Sequence, residues 1–340
     1  MKRLQHLCAA LCFLLLGSAA TAQAGTLKTV KDRGILNCGV PDNVRGFATV
    51  DENGKWTGFS VDFCRAISVA IFGDPAKKVN FVPVAVSDRF TALDSRKIDV
   101  LSSNATWTLS RESQNRIAFT GTNYFDEQGF LAPKSRKLKS PLELSGSKVC
   151  LETGTTSEAN FAEWAADRQI AFEAFRAPLL KDLIKAYEEG RCDVLTSDIS
   201  QLYAERLALA KPGDHEVLSY TISQEPISPA VRQDDPQWFQ IVRWVSFAMI
   251  DAEALQLSQL NIDAARQSRK QDLRRFVGAE GDMGKQLGLG PEWAFNIVKH
   301  VGNYEETLER NLGEKSELGI KRSLNRLVKD GGILFAPPIR

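Results

Sequence analysis

The chain has 340 residues, of which 43% are hydrophobic and 25% are charged, and its formal net charge is +1. This length is enough for two domains that each bury a core, and the mixed composition excludes an intrinsically disordered chain. The near balance of charge excludes the basic stripe that nucleic acid binding requires, so we expect no nucleic-acid partner.

The N-terminus has the three parts of a secretory signal peptide. Lys2 and Arg3 form a positive head, an apolar run covers residues 7–16, and an Ala-Gln-Ala sequence at 22–24 supplies small residues before a cleavage site. The apolar run is too short to span a bilayer, and no other stretch is long and apolar enough to do so. We predict that residues 1–24 are a signal peptide and that the mature chain is periplasmic. A buried helix is the alternative.

Six cysteines are present, and the predicted leader contains two of them. The other four allow three pairings, and an even number in an oxidising compartment is compatible with disulfides. The two-lobed organisation described below favours one bridge in each lobe, although buried free thiols are the alternative. None has metal-ligand spacing, so we expect no metal site. The favoured pairs are Cys38–Cys64 and Cys150–Cys192.

Strands and helices alternate along the first part of the mature chain. Residues 35–40 are predicted to form a strand, and apolar residues at helical spacing predict an amphipathic helix over 59–72, which a glycine ends. A second strand is predicted at 79–84, followed by a short helix at 89–95 and a third strand at 98–102. This alternation favours a parallel sheet and an α/β fold.

An eight-residue pattern occurs twice in the chain. Residues 97–104 (KIDVLSSN) and 191–198 (RCDVLTSD) both read basic, any, Asp, Val, Leu, hydroxyl, Ser, then Asn or Asp. A strand that ends in a polar residue places that residue at the carboxyl edge of its sheet, where ligands of open α/β sheets bind. Two such edges facing each other predict a cleft between two lobes. Coincidence between two common buried-strand motifs is the alternative.

The neighbours of these octets carry groups that suit a zwitterionic ligand. Arg111 lies just inside a helix that Ser110 could cap, and its guanidinium offers paired donors to a carboxylate beside the Thr106 hydroxyl. In the second half, a glycine leads into a helix start at Thr156, where free amides and the helix dipole favour an anion. Asp198 is placed to accept from an ammonium group. Each group alone suits a helix cap or a surface ion pair, so the prediction depends on their combination.

Several segments of the mature chain match, in order, the motifs of one protein family. They are Gly58–Ile67 (GFSVDFCRAI), Arg89–Leu93, Asn104–Thr108, Asp126–Phe130, Gly154–Glu158, Gly190–Asp193, Val301–Tyr304 and Ala336–Arg340. With these segments the chain resembles the periplasmic substrate-binding proteins of polar amino-acid ABC transporters, in the general L-amino-acid branch of bacterial solute-binding protein family 3. The resemblance covers essentially the whole mature chain.

The resemblance implies a type II periplasmic-binding-protein fold of the α/β class, with two lobes, a hinge and a ligand cleft between them. It implies that the first lobe begins with residues 25–133 and that the chain enters the second lobe near Pro133-Lys134. The second lobe then covers 134–229, and residues 230–260 return to the first. We expect residues 261–340 to form a C-terminal helical extension packed on the first lobe.

The resemblance also assigns the ligand contacts. It implies that Arg111 grips the α-carboxylate of an amino acid and that Asp198 holds its α-ammonium. Three further residues are expected to complete the cradle. These are Asn104, Thr106 and Thr156.

The pocket departs from the family pattern at several positions. Ser103 stands where the branch more often has arginine, and Ala105 where it often has threonine. Relatives that select basic amino acids often stack an aromatic ring near position 44, whereas this chain has Val44 followed by Arg45. We therefore expect a broad pocket that recognises the zwitterion shared by all amino acids.

The resemblance implies a transport role without catalysis. The protein is expected to close on an L-amino acid and to deliver it to an inner-membrane ABC permease, as a monomer and with no cofactor. The rival hypothesis is a periplasmic enzyme of the same fold, a dehydratase acting on a small carboxylate. Such an enzyme needs an acid or base in its cleft. Glu152 and Glu158 flank the Gly-Thr-Thr loop. Both could instead be first-turn acids that interact favourably with the dipole of a helix.

Overall fold

A computed structural model of the protein describes residues 25–73 and 78–340, and the predicted signal peptide at 1–24 lies outside the described residues. Along the described part of the chain, no helix is both long enough and apolar enough to cross a bilayer.

The described elements alternate between strands and helices over most of the chain. The first are α1 (Thr26–Arg33), β1 (Leu36–Pro41), β2 (Thr49–Val50), β3 (Trp56–Thr57), α2 (Phe59–Phe72), β4 (Val79–Val84), α3 (Arg89–Asp94), β5 (Val100–Leu101), α4 (Leu109–Gln114) and β6 (Ile117–Phe119). Next come β7 (Tyr124–Pro133), β8 (Ser147–Glu152), α5 (Thr156–Asp167), β9 (Phe172–Ala177), α6 (Leu180–Glu188), β10 (Val194–Asp198), α7 (Ile199–Ala208), β11 (His215–Val217), β12 (Ser223–Ile227) and β13 (Ala230–Arg232). Helices follow: α8 (Pro236–Ala254), α9 (Ile262–Ala265), α10 (Gln271–Phe276), α11 (Met283–Leu287), α12 (Trp293–His300) and α13 (Tyr304–Asn311).

Within the described residues, five strands form a first sheet in the order β4-β1-β5-β13-β6. β1 runs parallel to both β4 and β5, as the alternating pattern predicted, and β13 runs antiparallel to β5 and β6. We call this sheet with its helices the first lobe. Its inner strand β1 is buried along most of its length because α2 packs over it.

A second sheet has the order β11-β7-β10-β8-β9, with β12 also paired to β7. β8 runs parallel to β9 and β10, whereas β7 runs antiparallel to β10, β11 and β12. We call this sheet with its helices the second lobe. Both lobes therefore contain a parallel core with antiparallel strands added, which is a mixed form of the predicted α/β fold.

The chain passes between the two sheets twice. β6 belongs to the first sheet and β7 to the second, so the first passage lies between Phe119 and Tyr124. The passage was expected near Pro133-Lys134, whereas β7 is paired with β12 of the second sheet from Tyr124 onward. The return passage lies between Ile227, the last residue of β12, and Ala230, the first of β13.

Helix α2 shows how the local sequence sets an element. Its predicted bounds agree with the structure. The apolar positions lie on the face that packs into the core, and Gly73 ends the helix in a left-handed conformation. Gly58 precedes it with φ +135°, and a Cβ there would lie 2.1 Å from the carbonyl oxygen of Phe47. Only glycine fits this position, so the Gly-Phe start of the motif fixes how α2 meets the loop after β1.

The C-terminal helices share the core of the first lobe. α12 packs against α2 and α8, and α13 packs against the same two helices. Tyr304 donates from its hydroxyl to the Asn123 carbonyl at 2.9 Å, in the first passage between the sheets. Asn325 accepts from the Phe125 amide at 2.7 Å and donates to the Phe125 carbonyl at 2.9 Å. The extension therefore contacts both the first lobe and the start of β7.

Among the described residues, each lobe contains one disulfide. Cys38 on β1 is bonded to Cys64 on α2, and Cys150 on β8 is bonded to Cys192, two residues before β10. The pairs favoured from the two-lobed organisation are the ones that the structure contains. Each bond fastens a strand of the parallel core to a neighbouring element of the same lobe.

Candidate functional site

A cleft of about 540 Å³ separates the two lobes. The carboxyl ends of β1, β4 and β5 open onto one side of it and those of β8, β9 and β10 onto the other, as expected for a site at strand ends. The first-lobe lining comprises Pro41, Asp42, Asn43, Val44, Val84, Ala85, Val86, Arg89, Ser103, Asn104, Thr106 and Arg111. The second-lobe lining includes Glu152, Thr155, Thr156, Ser157, Leu179, Lys181, Ser197, Asp198, Gln201 and Glu205.

The structure brings all five candidate residues to this one cleft. Three lie on the first-lobe side and two on the second-lobe side. The members are Asn104, Thr106 and Arg111 on the first and Thr156 and Asp198 on the second. The facing strand ends that the repeated octet predicted are therefore present, with Asn104 and Asp198 as the last residues of the two octets.

Arg111 enters the cleft from the first turn of α4. Thr108 caps this helix by accepting from the Arg111 amide at 3.2 Å, so the expected cap Ser110 is wrong by two residues. The guanidinium donates through Nη1 to the Thr106 carbonyl at 3.0 Å, which fixes its direction. Burial lowers the pKa of Arg111, and the nearby acids Asp198 and Glu225 oppose that shift. The remaining donors of the guanidinium can serve an anion.

Thr156 is the first residue of α5, at the helix start that faces the cleft. The neighbouring Thr155 is the cap, because its hydroxyl oxygen accepts from the Glu158 amide at 3.1 Å. Gly154 precedes the cap with φ +77°, so the strand can turn sharply into the helix. With the cap on Thr155, the Thr156 side chain remains available to other groups.

Asp198 ends β10 and occupies the N-cap position of α7, but its side chain forms no cap hydrogen bond. Burial raises its pKa well above the ordinary range, and the acids Asp126 and Glu225 raise it further. Arg111 and Arg89 oppose the shift across the cleft. A carboxyl group in this position favours a nearby cation, because a positive charge offsets both the cost of burying the carboxylate and its repulsion from the neighbouring acids.

Glu225 lies beneath the two threonines and was not predicted. It is 1% exposed, and its Oε2 atom accepts from the Thr106 hydroxyl at 2.7 Å and the Thr156 hydroxyl at 3.0 Å. The two threonine oxygens are 3.3 Å apart. Its other oxygen accepts from Asn160 Nδ2 at 2.7 Å. This carboxylate joins a first-lobe side chain to a second-lobe side chain.

Arg89 is a second arginine in the cleft that the predicted site lacks. It is 4% exposed and donates through Nη1 to the Asn104 carbonyl at 3.2 Å. The Phe90 ring lies 5.1 Å from its guanidinium carbon and 5.9 Å from that of Arg111. Burial, together with repulsion from Arg111, lowers the pKa of Arg89 to about 9. Its place at the start of α3, the helix that follows β4, is the signal that could have identified it, since the segments after strand ends line this cleft.

Two glutamates with raised pKa values also line the second-lobe side of the cleft. Burial raises the pKa of Glu152 to about 7 against the opposing charge of Arg89. Burial and the neighbouring Glu152 raise the pKa of Glu205 to about 7, against the opposing charge of Arg45. Glu158 has a structural role instead, because it accepts from the Gly154 amide at 3.1 Å and from Arg176 Nε at 2.8 Å.

Two α/β lobes joined by two chain passages, with a ligand-sized cleft at their facing strand ends, define the type II periplasmic-binding-protein fold. Residues 36–259 match the bacterial extracellular solute-binding proteins, family 3. The chain belongs to this family.

Similar proteins extend the match over almost the whole chain. The general L-amino acid-binding periplasmic protein AapJ of Rhizobium johnstonii is 46% identical over 95% of each chain. The glutamate/glutamine/aspartate/asparagine-binding protein BztA of Rhodobacter capsulatus is 39% identical over 95% of each chain. A solved ABC transporter periplasmic binding protein from Brucella ovis with glutathione bound has a TM-score of 0.91 and 43% identity, covering 93% of this chain and 100% of that one.

Proposed function

We propose that this protein is the periplasmic solute-binding component of an ABC transporter, which binds L-amino acids by lobe closure and delivers them to an inner-membrane permease. The observation that carries the proposal is the placement of Arg111 and Asp198, of opposite charge, on opposite sides of one cleft. Relatives of nearly the same length are named as amino-acid-binding proteins, which supports the same class of ligand.

The cleft offers complementary groups to the two ends of an amino acid. Arg111 provides planar paired donors to the α-carboxylate, and the amides at the start of α5 add the positive end of a helix dipole. Asp198 receives the α-ammonium. Asn104 lines the cleft on the first-lobe side. Water leaves the cleft on closure, so these charge-assisted hydrogen bonds act in a lower dielectric.

Closure follows from the division of these groups between lobes. A ligand stabilises the closed form only through contacts that the open form lacks. Arg111 contacts the ligand from the first lobe and Asp198 from the second, so both engage it only when the lobes approach. We place the lobe boundaries at the two passages, with the second lobe between Tyr124 and Ile227 and the C-terminal extension on the first lobe.

The ligand range is proposed to be broad. Val44 lines the cleft and Arg45 follows it in the chain, so no aromatic ring is present at these two positions. An aromatic ring there would stack on one kind of ligand side chain. The cleft of about 540 Å³ also leaves space beyond the zwitterion-binding groups. The solved relative with glutathione bound accommodates a ligand larger than one amino acid.

The proposed location and assembly are those expected of a periplasmic solute-binding protein. Residues 1–24 act as a cleaved leader, the mature chain works in the periplasm as a monomer, and the membrane partner is a permease. The protein uses no cofactor and is not an enzyme.

Isothermal titration calorimetry of the mature protein, refolded to remove carried-over ligand, tests the proposal against a panel of L-amino acids. Arg111→Ala and Asp198→Ala should each abolish measurable binding. Arg269→Ala and Asp94→Ala are matched controls, because both residues are exposed and lie outside the cleft. Absence of binding by the wild-type protein across the panel would exclude an amino-acid ligand.

The enzymatic alternative has one candidate acid or base in the cleft. Glu152 lines the cleft with a pKa of about 7, which suits a general acid or base near neutral pH. Incubation with small hydroxy- and keto-carboxylates, followed by chromatography of the products, separates the two hypotheses. Product formation that Glu152→Gln removes would establish a dehydratase, whereas unchanged carboxylates leave the transport role.

A further inference from the structure

Glu225 occupies a position that no ligand-binding role assigned above explains. It lies on β12, opposite Asp126 on β7, two residues before the last residue of the strand that leads back to the first lobe. The side chain is almost completely buried. Burying a carboxylate is costly unless hydrogen bonds compensate for the lost water. The groups that compensate for it here are therefore informative.

Two of the four side chains that donate to Glu225 belong to the candidate site. Oε2 accepts from the hydroxyls of Thr106 and Thr156, and Oε1 accepts from Asn160 and from the Ser223 hydroxyl. Thr106 comes from the first lobe and Thr156 from the second. A single carboxylate oxygen can receive both hydroxyls only when the two lobes lie close together.

These bonds decide what the threonines can offer a ligand. A hydroxyl has one hydrogen, and each threonine oxygen lies closer to Glu225 Oε2, at 2.7 and 3.0 Å, than to the other threonine oxygen at 3.3 Å, so we assign both hydrogens to the carboxylate. What remains on each oxygen is lone pairs, which accept hydrogen bonds. An ammonium group can donate to them, whereas a carboxylate would be repelled. This differs from the expectation from the sequence, in which the Thr106 hydroxyl and the helix start at Thr156 served the negatively charged end of the ligand.

We propose that Glu225 is a positioning residue that fixes the hydroxyls of Thr106 and Thr156 as acceptors for the ligand's ammonium group. By bonding to both threonines at once, Glu225 also joins the two lobes. The proposal rests on the amino-acid-binding function and adds a residue that acts through others. Glu225 also adds a third acid beside Asp198 and Asp126, so the negative potential at this end of the cleft favours a cationic group. Arg111 and the amides of α5 then remain for the carboxylate.

The replacement Glu225→Gln tests this role, because a glutamine amide can donate to a threonine oxygen and turn its hydrogen toward the ligand. Calorimetry would compare L-glutamate with L-2-hydroxyglutarate, and L-leucine with L-2-hydroxyisocaproate, which differ only in an ammonium or a hydroxyl group. The ratio of the two dissociation constants measures preference for the ammonium. We expect this ratio to fall at least tenfold in the variant, with amino-acid binding weakened more than hydroxy-acid binding.

Ser223→Ala is the matched control, because it removes a donor to the other oxygen and leaves both threonine bonds in place. Its ratio should remain that of the wild type. Thermal melting checks the fold of each variant. If Glu225→Gln does not fold, Thr156→Val and Thr156→Ser provide the comparison: the valine variant should lose the preference and the serine variant should retain it.

The outcomes separate this proposal from the one on which it depends. If the wild-type protein binds no amino acid, the proposed function fails. If it binds amino acids but the ratio is unchanged in Glu225→Gln, or falls as much in Ser223→Ala, only the positioning role is wrong. An equal ratio in Thr156→Val and Thr156→Ser would also overturn it.

Discussion

Arg111 and Asp198 line opposite sides of one cleft, and burial shifts the pKa of each residue in the direction that favours its neutral form. The pKa of the arginine is lowered and that of the aspartate is raised, while each residue opposes the shift of the other across the cleft. In the proposed binding mode, a zwitterion places a carboxylate beside the arginine and an ammonium beside the aspartate. Each charge of the ligand therefore stabilises the charged form of the residue that it contacts.

The shape of the arginine donor matters as well as its charge. Replacing Arg111 with lysine keeps a positive charge but loses the planar pair of donors, and the bond to the Thr106 carbonyl that fixes its direction is lost or weakened. We expect Arg111→Lys to weaken amino-acid binding by about 10- to 100-fold, which corresponds to about 1.4 to 2.8 kcal/mol. Calorimetry measures this, with Arg269→Lys as the control. Equal affinity of Arg111→Lys and the wild type would show that a point charge is sufficient.

Ligand binding should release protons near neutral pH. Burial raises the pKa of Asp126 to about 7, and the pKa of the neighbouring Asp198 is also raised, so the free protein holds protons on this pair around pH 6 to 7. An ammonium group lowers these pKa values, and protons leave as it binds. Affinity should therefore rise as the pH increases from 5.5 to 8.

Titrations at pH 6 in buffers of different ionisation enthalpy measure this release directly. The observed binding enthalpy should change with the buffer in the wild type and much less in Asp126→Asn. A binding enthalpy that is the same in every buffer would contradict the proton release.

Glu152 and Glu205 should make the preference among ligand side chains depend on pH. Each has a pKa of about 7 in the cleft, so both are largely neutral acids at pH 6 and carboxylates at pH 8. Neutral acids can donate to an acidic side chain, whereas carboxylates attract a basic one. We expect the affinity for L-lysine relative to L-glutamate to rise about tenfold between pH 6 and pH 8, or about 1.4 kcal/mol.

The double replacement Glu152→Gln/Glu205→Gln removes the two titrating groups and should flatten this pH dependence. Glu163→Gln/Glu314→Gln is a matched control, since both of its glutamates are exposed and lie outside the cleft. A pH dependence that persists in the cleft variant would assign it to other groups, above all to Asp126 and Asp198, whose pKa values are also raised.

The sequence predicted the parts of the site that local patterns determine. The repeated octet placed Asn104 and Asp198 at strand ends, and the helical spacing of apolar residues predicted the bounds of α2. Glu225 has no such signal: it is one glutamate in a short strand, and its threonine partners lie 119 and 69 residues away in the chain. The start of β7 also lacks a local signal, because this strand is defined by its pairing with β10, β11 and β12 rather than by its own sequence.

The disulfide of the second lobe supports the wall that carries Asp198. Cys150 lies on β8 and Cys192 lies just before β10, so the bond fastens the two parallel strands whose ends contribute Glu152 and Asp198 to the cleft. The bond closes a loop with a sequence separation of 42 residues. Loop-closure entropy gives a stabilisation of about 4 kcal/mol for such a loop.

Replacing both cysteines with serine should therefore lower the free energy of unfolding in urea by about 4 kcal/mol. Reduction of the wild-type protein should have a similar effect on the second lobe, and Cys38→Ser/Cys64→Ser, with a separation of 26 residues, should cost about 3.5 kcal/mol. Because the Cys150–Cys192 bond fastens β8 to the chain that enters β10, the strand that ends in Asp198, its loss should also weaken amino-acid binding more than loss of the bond in the first lobe, where Arg111 lies on a separate helix. Equal binding by the two double variants would show that β10 holds Asp198 in place without the bond.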